Sequence, residues 1–308
     1  MPYATTPARP FGSVLTAMIT PMSADGAVDL AAAARLARHL ADHGHDGIVV
    51  SGTTGESPVT HAEEKSDLIR AVVDAVGDRV VVVAGAGSND TSHAVRMAEQ
   101  AAEAGADGLL IVSPYYSRPS QEGIVQHTLA ITEATGLPVM LYDVPGRTGV
   151  RFAPATLDRL AAHERIVAVK DATGDVSGAA RTIQRTGLAW YSGDDSLFLA
   201  LLAQGAVGVV SVVGHAAGRE LAEISAAFLA GDNARALEVF RAIGPAIRAL
   251  NGAGSQAVMA KAAVQILGIT DNRLLRLPNI AASEDEALDV RAGLLAAGLL
   301  GGTRRSER

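Results

Sequence analysis

The chain has 308 residues, 48% of them hydrophobic, and a formal net charge of −7 at pH 7. This charge argues against nucleic acid or an anionic membrane as a standing partner, although a small acidic substrate needs only a local cation. Cysteine is absent, which excludes disulfides, thiolate zinc sites and cysteine nucleophiles. Only three of the 26 basic residues are lysines, so a mechanism that needs a lysine has few candidates.

The N-terminal segment MPYATTPARPFG lacks the apolar core that a signal peptide needs. No uninterrupted apolar run approaches the roughly 18 residues of a membrane span. We therefore expect a soluble, cytoplasmic protein without a membrane partner.

Short β-branched apolar runs alternate with Ala- and Leu-rich amphipathic segments along most of the chain. Several runs, such as VVVVA and GLLIV, are apolar at consecutive positions, which is typical of parallel strands covered on both faces. The predicted strands are residues 13–20, 47–52, 79–84, 108–113, 138–143, 166–171, 189–192 and 208–213. The predicted helices between them include residues 30–43, 62–76, 91–104, 121–135 and 155–163.

Eight evenly spaced βα units in about 230 residues predict a closed (β/α)₈ TIM barrel, with a doubly wound open sheet as the alternative. From about residue 232 the strand pattern stops, and two or three helices are expected, including residues 234–250 and 256–267. We therefore divide the chain into a barrel at 1–231, which carries the active site, and a C-terminal helical appendage at 232–308. Its polar tail GGTRRSER is expected to fray.

Lys170 closes the apolar run IVAV at the end of the predicted sixth strand, where TIM barrels place their active sites. Because alternate strand residues share a face, its side chain should lie with Ile166 and Ala168, while Asp171 points away. A neutral amine near pH 8 requires surroundings that destabilise the ammonium by about 3–4 kcal/mol, which an apolar strand mouth can supply. Such an amine is a Schiff-base nucleophile. The alternative is an ion pair with a carboxylate on another strand.

Other charged residues favour structural interpretations. Lys65 is expected on a solvated helix face, and Lys261 is expected to extend along an apolar helix to water. Asp194 and Asp195 are expected to cap the next helix rather than to bind metal. The histidines at 39, 43 and 45 cluster at a helix end and not at an active strand end, so no metal site is expected.

Polar groups at other strand ends suit the same site as Lys170. Tyr142 ends the neighbouring fifth strand, where a phenol can move protons, although a lone tyrosine there would be read as a packing residue. The loop SGTTGES offers the hydroxyls of Thr53 and Thr54 and flexible backbone N–H groups to a carboxylate. Arg147, in the loop after Tyr142, suits a second carboxylate, with an ordinary surface arginine as the alternative.

Read in order, these strand ends resemble the dihydrodipicolinate synthase family of pyruvate-dependent class I aldolases. GTTGES, PYY, YDVPGRTG and VKDATGD occur in that order with matching spacing, and the similarity runs from FGSVLTAMITP to the KAAVQILG and RLP segments. The resemblance implies a lyase that condenses pyruvate with L-aspartate 4-semialdehyde to 4-hydroxy-tetrahydrodipicolinate, in lysine and diaminopimelate biosynthesis. It further implies a homotetramer built as a dimer of dimers and no metal or organic cofactor.

The resemblance also implies catalytic roles. Lys170 forms the imine with pyruvate, and Tyr142 is the central acid and base. Thr53 and Tyr116 complete its proton relay, and Tyr116 reaches into the site of the neighbouring subunit.

Substrate-binding roles follow from the same resemblance. Thr53 and Thr54 hold the carboxylate of pyruvate, and Arg147 holds the carboxylate of the semialdehyde. Backbone groups at Gly193 and Val210 line the pocket.

Two alternatives remain at this point. Sialic acid and sugar-acid lyases share the lysine and the tyrosine, so a sibling aldolase acting on a longer 2-keto acid is possible on sequence grounds. Arg147 and the Thr53–Thr54 pair favour the synthase. A non-catalytic barrel that serves as a binding protein is the remote alternative, but none of the reactive residues is lost. Lysine-inhibited members have a histidine and an acidic residue where Ala62 and His93 stand here, so feedback inhibition by lysine is not expected.

Overall fold

The barrel is closed in the computed structural model, which describes residues 9–252 and 254–300; the predicted fraying tail lies outside them. Eight parallel strands pair in sequence order, and the last pairs with the first. They are β1 (Val14–Ala17), β2 (Gly47–Val50), β3 (Val81–Gly85), β4 (Gly108–Val112), β5 (Val139–Asp143), β6 (Ile166–Asp171), β7 (Ala189–Ser192) and β8 (Gly208–Ser211). This topology confirms the predicted TIM barrel and excludes an open sheet.

Helices cover the outside of the barrel and continue after the last strand. They are α1 (Leu30–Asp42), α2 (Ala62–Val76), α3 (Thr91–Glu103), α4 (Gln121–Glu133), α5 (Pro145–Thr148), α6 (Pro154–Ala161), α7 (Val176–Thr186), α8 (Phe198–Leu202), α9 (Gly214–Leu229), α10 (Asn233–Ala242), α11 (Gly244–Asn251), α12 (Gln256–Ile266) and α13 (Glu284–Ala296). None of these helices has the length and apolarity needed to cross a membrane.

The C-terminal part of the described chain holds four helices, α10 to α13, where two or three were expected. The single helix predicted at 234–250 is wrong, because α10 ends at Ala242 and α11 begins at Gly244. Pro245 follows at once, and proline is tolerated in the first turn of a helix but not in its interior. The division of the chain at residue 231 stays a prediction.

Alternating strand residues build two apolar layers. The inner layer fills the barrel, and the outer layer lies between strands and helices. At the N-terminal end of the barrel, Phe11 packs against Tyr191, whose phenol accepts from the Phe11 N–H at 3.3 Å and donates to the Gly12 carbonyl at 3.0 Å. Among the described residues, the segment around Phe11 and Gly12 therefore closes this end, and the C-terminal strand ends form the open end.

The pairing of β5 with β6 brings the strand ends that carry Tyr142 and Lys170 side by side. Tyr142 pairs with Lys170. Earlier in the same pair the register shifts, so that Val139 pairs with Ile166 but Met140 with Ala168. The shift moves Ile166 into the outer layer, and the expectation that it shares the face of Lys170 is wrong. Ala168 lies in the inner layer, as predicted.

Candidate active site

Lys170 ends in the mouth of the barrel. It is 6% exposed, and its register partners are Tyr142 on β5 and Tyr191 on β7. Its Nζ lies 4.3 Å from the centroid of the Tyr142 ring. The side chain therefore has the inward direction that strand alternation predicts.

The surroundings of Lys170 favour its neutral form. Burial lowers the pKa of Lys170 to about 8; the charge of Asp195 acts in the opposite sense, and that of Arg147 lowers it further. Among the described residues, no carboxylate oxygen lies within 4.0 Å of Nζ. The ion-pair alternative is thus wrong, and the amine has the properties that imine formation requires.

Tyr142 is buried beside Lys170 and is 6% exposed. Burial raises the pKa of Tyr142, while the charge of Arg147 and hydrogen bonds with Thr53 and Arg147 oppose this rise. The phenol is therefore protonated at neutral pH and is joined to a hydroxyl at the end of the second strand. This arrangement can pass a proton between the barrel interior and the loop that carries Thr53.

A cavity of about 340 Å³ opens at this end of the barrel, a size that suits a small organic molecule. Tyr142 and Val144 lie in its wall together with part of the loop at residues 52–60, which we call the β2 loop and which contributes Gly52, Thr53, Ser57, Pro58 and Thr60. Hydroxyls and cationic or titratable groups line it further, namely Ser57, Thr60, Lys65, Ser88, His93, Tyr115 and Arg147.

The β2 loop carries both predicted threonines. Thr53 is exposed to the cavity, and Thr54 is 5% exposed. The N–H of Glu56 donates to the Thr53 carbonyl at 3.1 Å and closes a turn around the pair. Thr20 Oγ1 donates to the Gly55 carbonyl at 2.6 Å and ties the loop to the chain after β1. The threonines are therefore held by a hydrogen-bonded turn and not by an open loop.

Arg147 lies on α5, the short helix directly after β5. Its N–H donates to the Val144 carbonyl at 2.9 Å, and its Nη2 donates to Gln256 Oε1 at 3.1 Å. Among the described residues its guanidinium forms no ion pair. An exposed cation beside Tyr142 remains available to a carboxylate of a substrate.

Gly193 and Val210 are not among the residues that line this cavity, and their place in the pocket wall stays a prediction. A Cβ on Gly193 would lie 3.1 Å from Lys170 Cγ, so the glycine permits the lysine side chain to pass. Val210 is 0% exposed and belongs to the inner layer. Tyr116 does not line the cavity either, and its side chain is 89% exposed, whereas Tyr115 lies in the cavity wall.

The interpretations of the other two lysines are wrong. Lys65 is 8% exposed because the first turn of α2 folds against the β2 loop, where its Nζ donates to the Ser57 carbonyl at 2.9 Å and to the Thr60 carbonyl. Lys261 is 2% exposed and forms an ion pair with Glu56. Both lysines therefore hold the β2 loop instead of facing water.

The two aspartates after β7 have separate roles. Asp194 accepts from the Ser196 N–H at 2.8 Å and caps the following turn, as predicted. Asp195 is 1% exposed and accepts from the backbone N–H groups of Val212 and Val213 at 3.1 and 2.9 Å. Its cap interpretation is wrong, because its carboxylate holds the end of β8 and acts electrostatically on Lys170. Sequence patterns gave no signal for this contact across 17 residues.

Comparison with known proteins identifies the family of the chain. Residues 10–297 match the model of the Dihydrodipicolinate synthetase family. A 4-hydroxy-tetrahydrodipicolinate synthase of Bifidobacterium longum is 54% identical over 291 residues, which are 94% of this chain and 96% of that protein. The corresponding protein of Kineococcus radiotolerans is 54% identical over 301 residues, 97% of this chain and 98% of its own.

Solved structures share the fold. The dihydrodipicolinate synthase of Cyanidioschyzon merolae, solved with lysine bound, has a TM-score of 0.92 and 40% identity and covers 95% of this chain and 100% of its own. The enzyme of Acinetobacter baumannii, solved with pyruvate, has a TM-score of 0.90 and 36% identity at the same coverage. The chain therefore belongs to the Dihydrodipicolinate synthetase family.

Proposed function

We propose that the protein condenses pyruvate with L-aspartate 4-semialdehyde to give 4-hydroxy-tetrahydrodipicolinate, a step of lysine and diaminopimelate biosynthesis. The observation that carries the proposal is the buried Lys170, which has no ion-pair partner among the described residues and is in register with the buried Tyr142 at the open end of the barrel. Family membership and the names of relatives at 54% identity support the same reaction.

In the proposed reaction the neutral amine of Lys170 attacks the ketone carbon of pyruvate, and loss of water leaves an iminium. The iminium draws electrons from the adjacent methyl group, which loses a proton and becomes the terminal carbon of an enamine. This carbon attacks the aldehyde carbon of the second substrate, and the aldehyde oxygen takes up a proton. The amine of the second substrate then adds to the imine carbon, closes the ring and releases Lys170.

Tyr142 moves the protons in these steps. Its phenol is kept protonated by burial and is hydrogen-bonded to Thr53, so it can give a proton and take it back through the β2 loop. In the proposed oligomer, Tyr116 of a neighbouring subunit completes this relay.

Separate groups bind the two carboxylates. Thr53 and Thr54 hold the carboxylate of pyruvate close to Lys170, and Arg147 holds the carboxylate of the semialdehyde. Gly193 and Val210 shape the wall beside the imine. The guanidinium of Arg147 is exposed at the cavity and has no ion-pair partner among the described residues, which supports this assignment.

The aldehyde partner is the test of this proposal, because aldolases of longer 2-keto acids form the same pyruvate imine. Turnover is measured with pyruvate and either aspartate semialdehyde, N-acetylmannosamine or glyceraldehyde. We expect turnover with aspartate semialdehyde alone, and its loss in Arg147→Ala with pyruvate imine formation retained. Arg151→Ala, which removes a nearby exposed arginine paired with Asp175, is the matched control and should be active. Preference for a sugar-derived aldehyde would assign the protein to a sibling activity.

The oligomeric state and location belong to the proposal as well. We propose a homotetramer, a dimer of dimers, in the cytoplasm. The 89% exposure of an aromatic side chain, Tyr116, beside the cavity supports a neighbouring subunit at this face. A monomeric variant of the family has been solved, with 36% identity and a TM-score of 0.90, so the family fold does not by itself require a tetramer.

A further inference from the structure

Helix α12 of the C-terminal part contacts both loops that carry carboxylate-binding residues in the proposed function. Near its middle, Lys261 forms an ion pair with Glu56 of the β2 loop, and both side chains are nearly inaccessible, at 2% and 1%. At its first residue, Gln256 accepts a hydrogen bond from Arg147. One helix thus touches the pyruvate side and the aldehyde side of the cavity through different residues.

Among the described residues, the partners of the Glu56 side chain all lie in the C-terminal part. One carboxylate oxygen pairs with Lys261, and the other accepts from the Arg276 N–H at 3.0 Å. Lys261 Nζ also donates to the Leu274 carbonyl at 2.5 Å. A buried ion pair contributes little to stability by itself, because desolvation of the two charges offsets their attraction. The pair is therefore better explained by the position that it gives to the Glu56 side chain than by a contribution to stability.

The backbone at Glu56 explains why the β2 loop needs this support. Its φ of 57° is left-handed, a conformation that is unfavourable for a residue with a Cβ. The same residue closes the turn around Thr53 through its N–H. If the side chain were released, the residue would relax towards ordinary backbone angles and the Thr53 carbonyl would lose its donor.

The contact between Gln256 and Arg147 is the last in a series of hydrogen bonds that begins at the buried carboxyl group of Asp195. Asp195 Oδ2 accepts from Asn251 Nδ2 at 2.9 Å, Asn251 Oδ1 accepts from Gln256 Nε2 at 2.6 Å, and Gln256 Oε1 faces Arg147. Each amide in this series has one orientation set by its neighbour. The series therefore fixes an acceptor in front of an otherwise exposed guanidinium.

We propose that α12 positions the two carboxylate-binding elements of the active site, with Lys261 and Glu56 ordering Thr53 and Thr54 for pyruvate and Gln256 ordering Arg147 for the aldehyde. Neither contact touches the reacting atoms, so these are positioning residues. The inference rests on the proposed function. In addition, the part of the chain after the barrel determines substrate affinity, and the binding of pyruvate and the binding of the aldehyde can be weakened separately.

The test measures pyruvate imine formation and aldehyde turnover in the full-length protein. Lys261→Met should raise the pyruvate concentration for half-maximal borohydride trapping about tenfold and leave the KM of the aldehyde unchanged. Gln256→Ala should raise the KM of the aldehyde about fivefold to tenfold and leave the pyruvate concentration for half-maximal trapping unchanged. Gln256→Glu keeps an acceptor for the guanidinium and should recover most of the aldehyde affinity.

Two controls separate positioning from stability. Gln265, on the same helix, accepts from Arg273 at 2.8 Å far from the cavity, so Gln265→Ala should leave both affinities unchanged. If Lys261→Met does not fold, the double variant Glu56→Gln/Lys261→Met removes both charges and should recover the melting temperature while the pyruvate defect persists. A double variant with normal pyruvate affinity, or a Gln256→Ala protein with a normal aldehyde KM, overturns the inference. Wild-type protein that forms no pyruvate imine overturns the proposed function instead.

Discussion

Lys170 Nζ lies 4.3 Å from the centroid of the Tyr142 ring, and the two residues are register partners on adjacent parallel strands. The lysine is buried and has no ion-pair partner in the part of the chain that the structure describes, and the tyrosine is linked to Thr53 and Arg147. A nucleophile, a proton-transfer group and an anion-binding group thus meet at one end of a closed barrel.

The pH dependence of imine formation follows from the environment of Lys170. Burial lowers the pKa of its amine to about 8, and only the neutral amine attacks a ketone. The initial rate of trapping by pyruvate should rise about tenfold per pH unit below pH 8 and level off above it. Quenching with borohydride at short times and quantifying the adduct measures this rate. A rate that continues to rise up to pH 10 would indicate an amine with an ordinary pKa.

Removal of the Tyr142 hydroxyl tests the proton-transfer role. Tyr142→Phe should lower kcat by about 10²–10⁴ and leave pyruvate binding nearly unchanged, because the ring still packs beside Lys170. The control is Tyr191→Phe, on the other neighbouring strand. Within residues 9–252 and 254–300 its phenol bonds only to the Phe11 and Gly12 backbone, so the substitution should cost about 1 kcal/mol of stability and no activity. Equal kinetic effects of the two variants would contradict the assignment.

Complementation between variants tests the contribution of Tyr116 across subunits. Tyr116→Ala and Lys170→Ala should each be nearly inactive alone. In a co-expressed mixture, half of the dimers are mixed and one of their two sites is intact, so about a quarter of the wild-type activity should return. Purified mixed protein and each single variant are assayed side by side. An inactive mixture, or a fully active Tyr116→Ala protein, would place Tyr116 outside the reaction.

A buried carboxyl group behind the active site makes stability depend on pH. Asp143 is 4% exposed, and burial raises its pKa from 3.8 to about 7, with the neighbouring charge of Asp171 acting in the same sense. The folded protein therefore binds the proton more tightly than the unfolded chain, and the resulting stability is lost as pH rises from about 4 to about 7. The difference corresponds to at most about 4 kcal/mol.

Asp143→Asn should remove this dependence. The melting temperature of the variant minus that of the wild type should be larger at pH 8 than at pH 5. Asp171→Asn is the control, because both carboxylate oxygens of Asp171 accept hydrogen bonds, one from Trp190 Nε1 at 2.9 Å and one from the Thr173 N–H at 2.8 Å. It should be destabilised at both pH values. The same melting difference for Asp143→Asn at pH 5 and pH 8 would contradict the stated charge state.

Local sequence patterns predicted the barrel and the strand ends that carry Lys170, Tyr142 and Thr53, because strand alternation and strand order suffice to place them. They did not predict the surroundings of Lys65 and Lys261. Both side chains are buried by contacts with the β2 loop, which directly precedes the helix of Lys65 but is distant in sequence from Lys261, and a lysine between helical neighbours gives no sign of such a contact. The inward position expected for Ile166 was wrong for a related reason, since a register shift depends on the partner strand.

The support from the C-terminal part was also beyond sequence patterns. Gln256 and Asn251 lie in helical segments whose sequence indicates only amphipathic packing. Their importance follows from the hydrogen bonds that join Asp195 to Arg147, which span residues far apart in the chain.

The most direct measurement of the central claim is the position of the borohydride-stabilised pyruvate adduct. The chain offers three lysines, so peptide mapping by mass spectrometry distinguishes all candidates. We expect stoichiometric modification of Lys170, none of Lys65 or Lys261, and no adduct in Lys170→Arg. An unmodified Lys170 after reduction with saturating pyruvate, or an adduct on either of the other lysines, would contradict this claim.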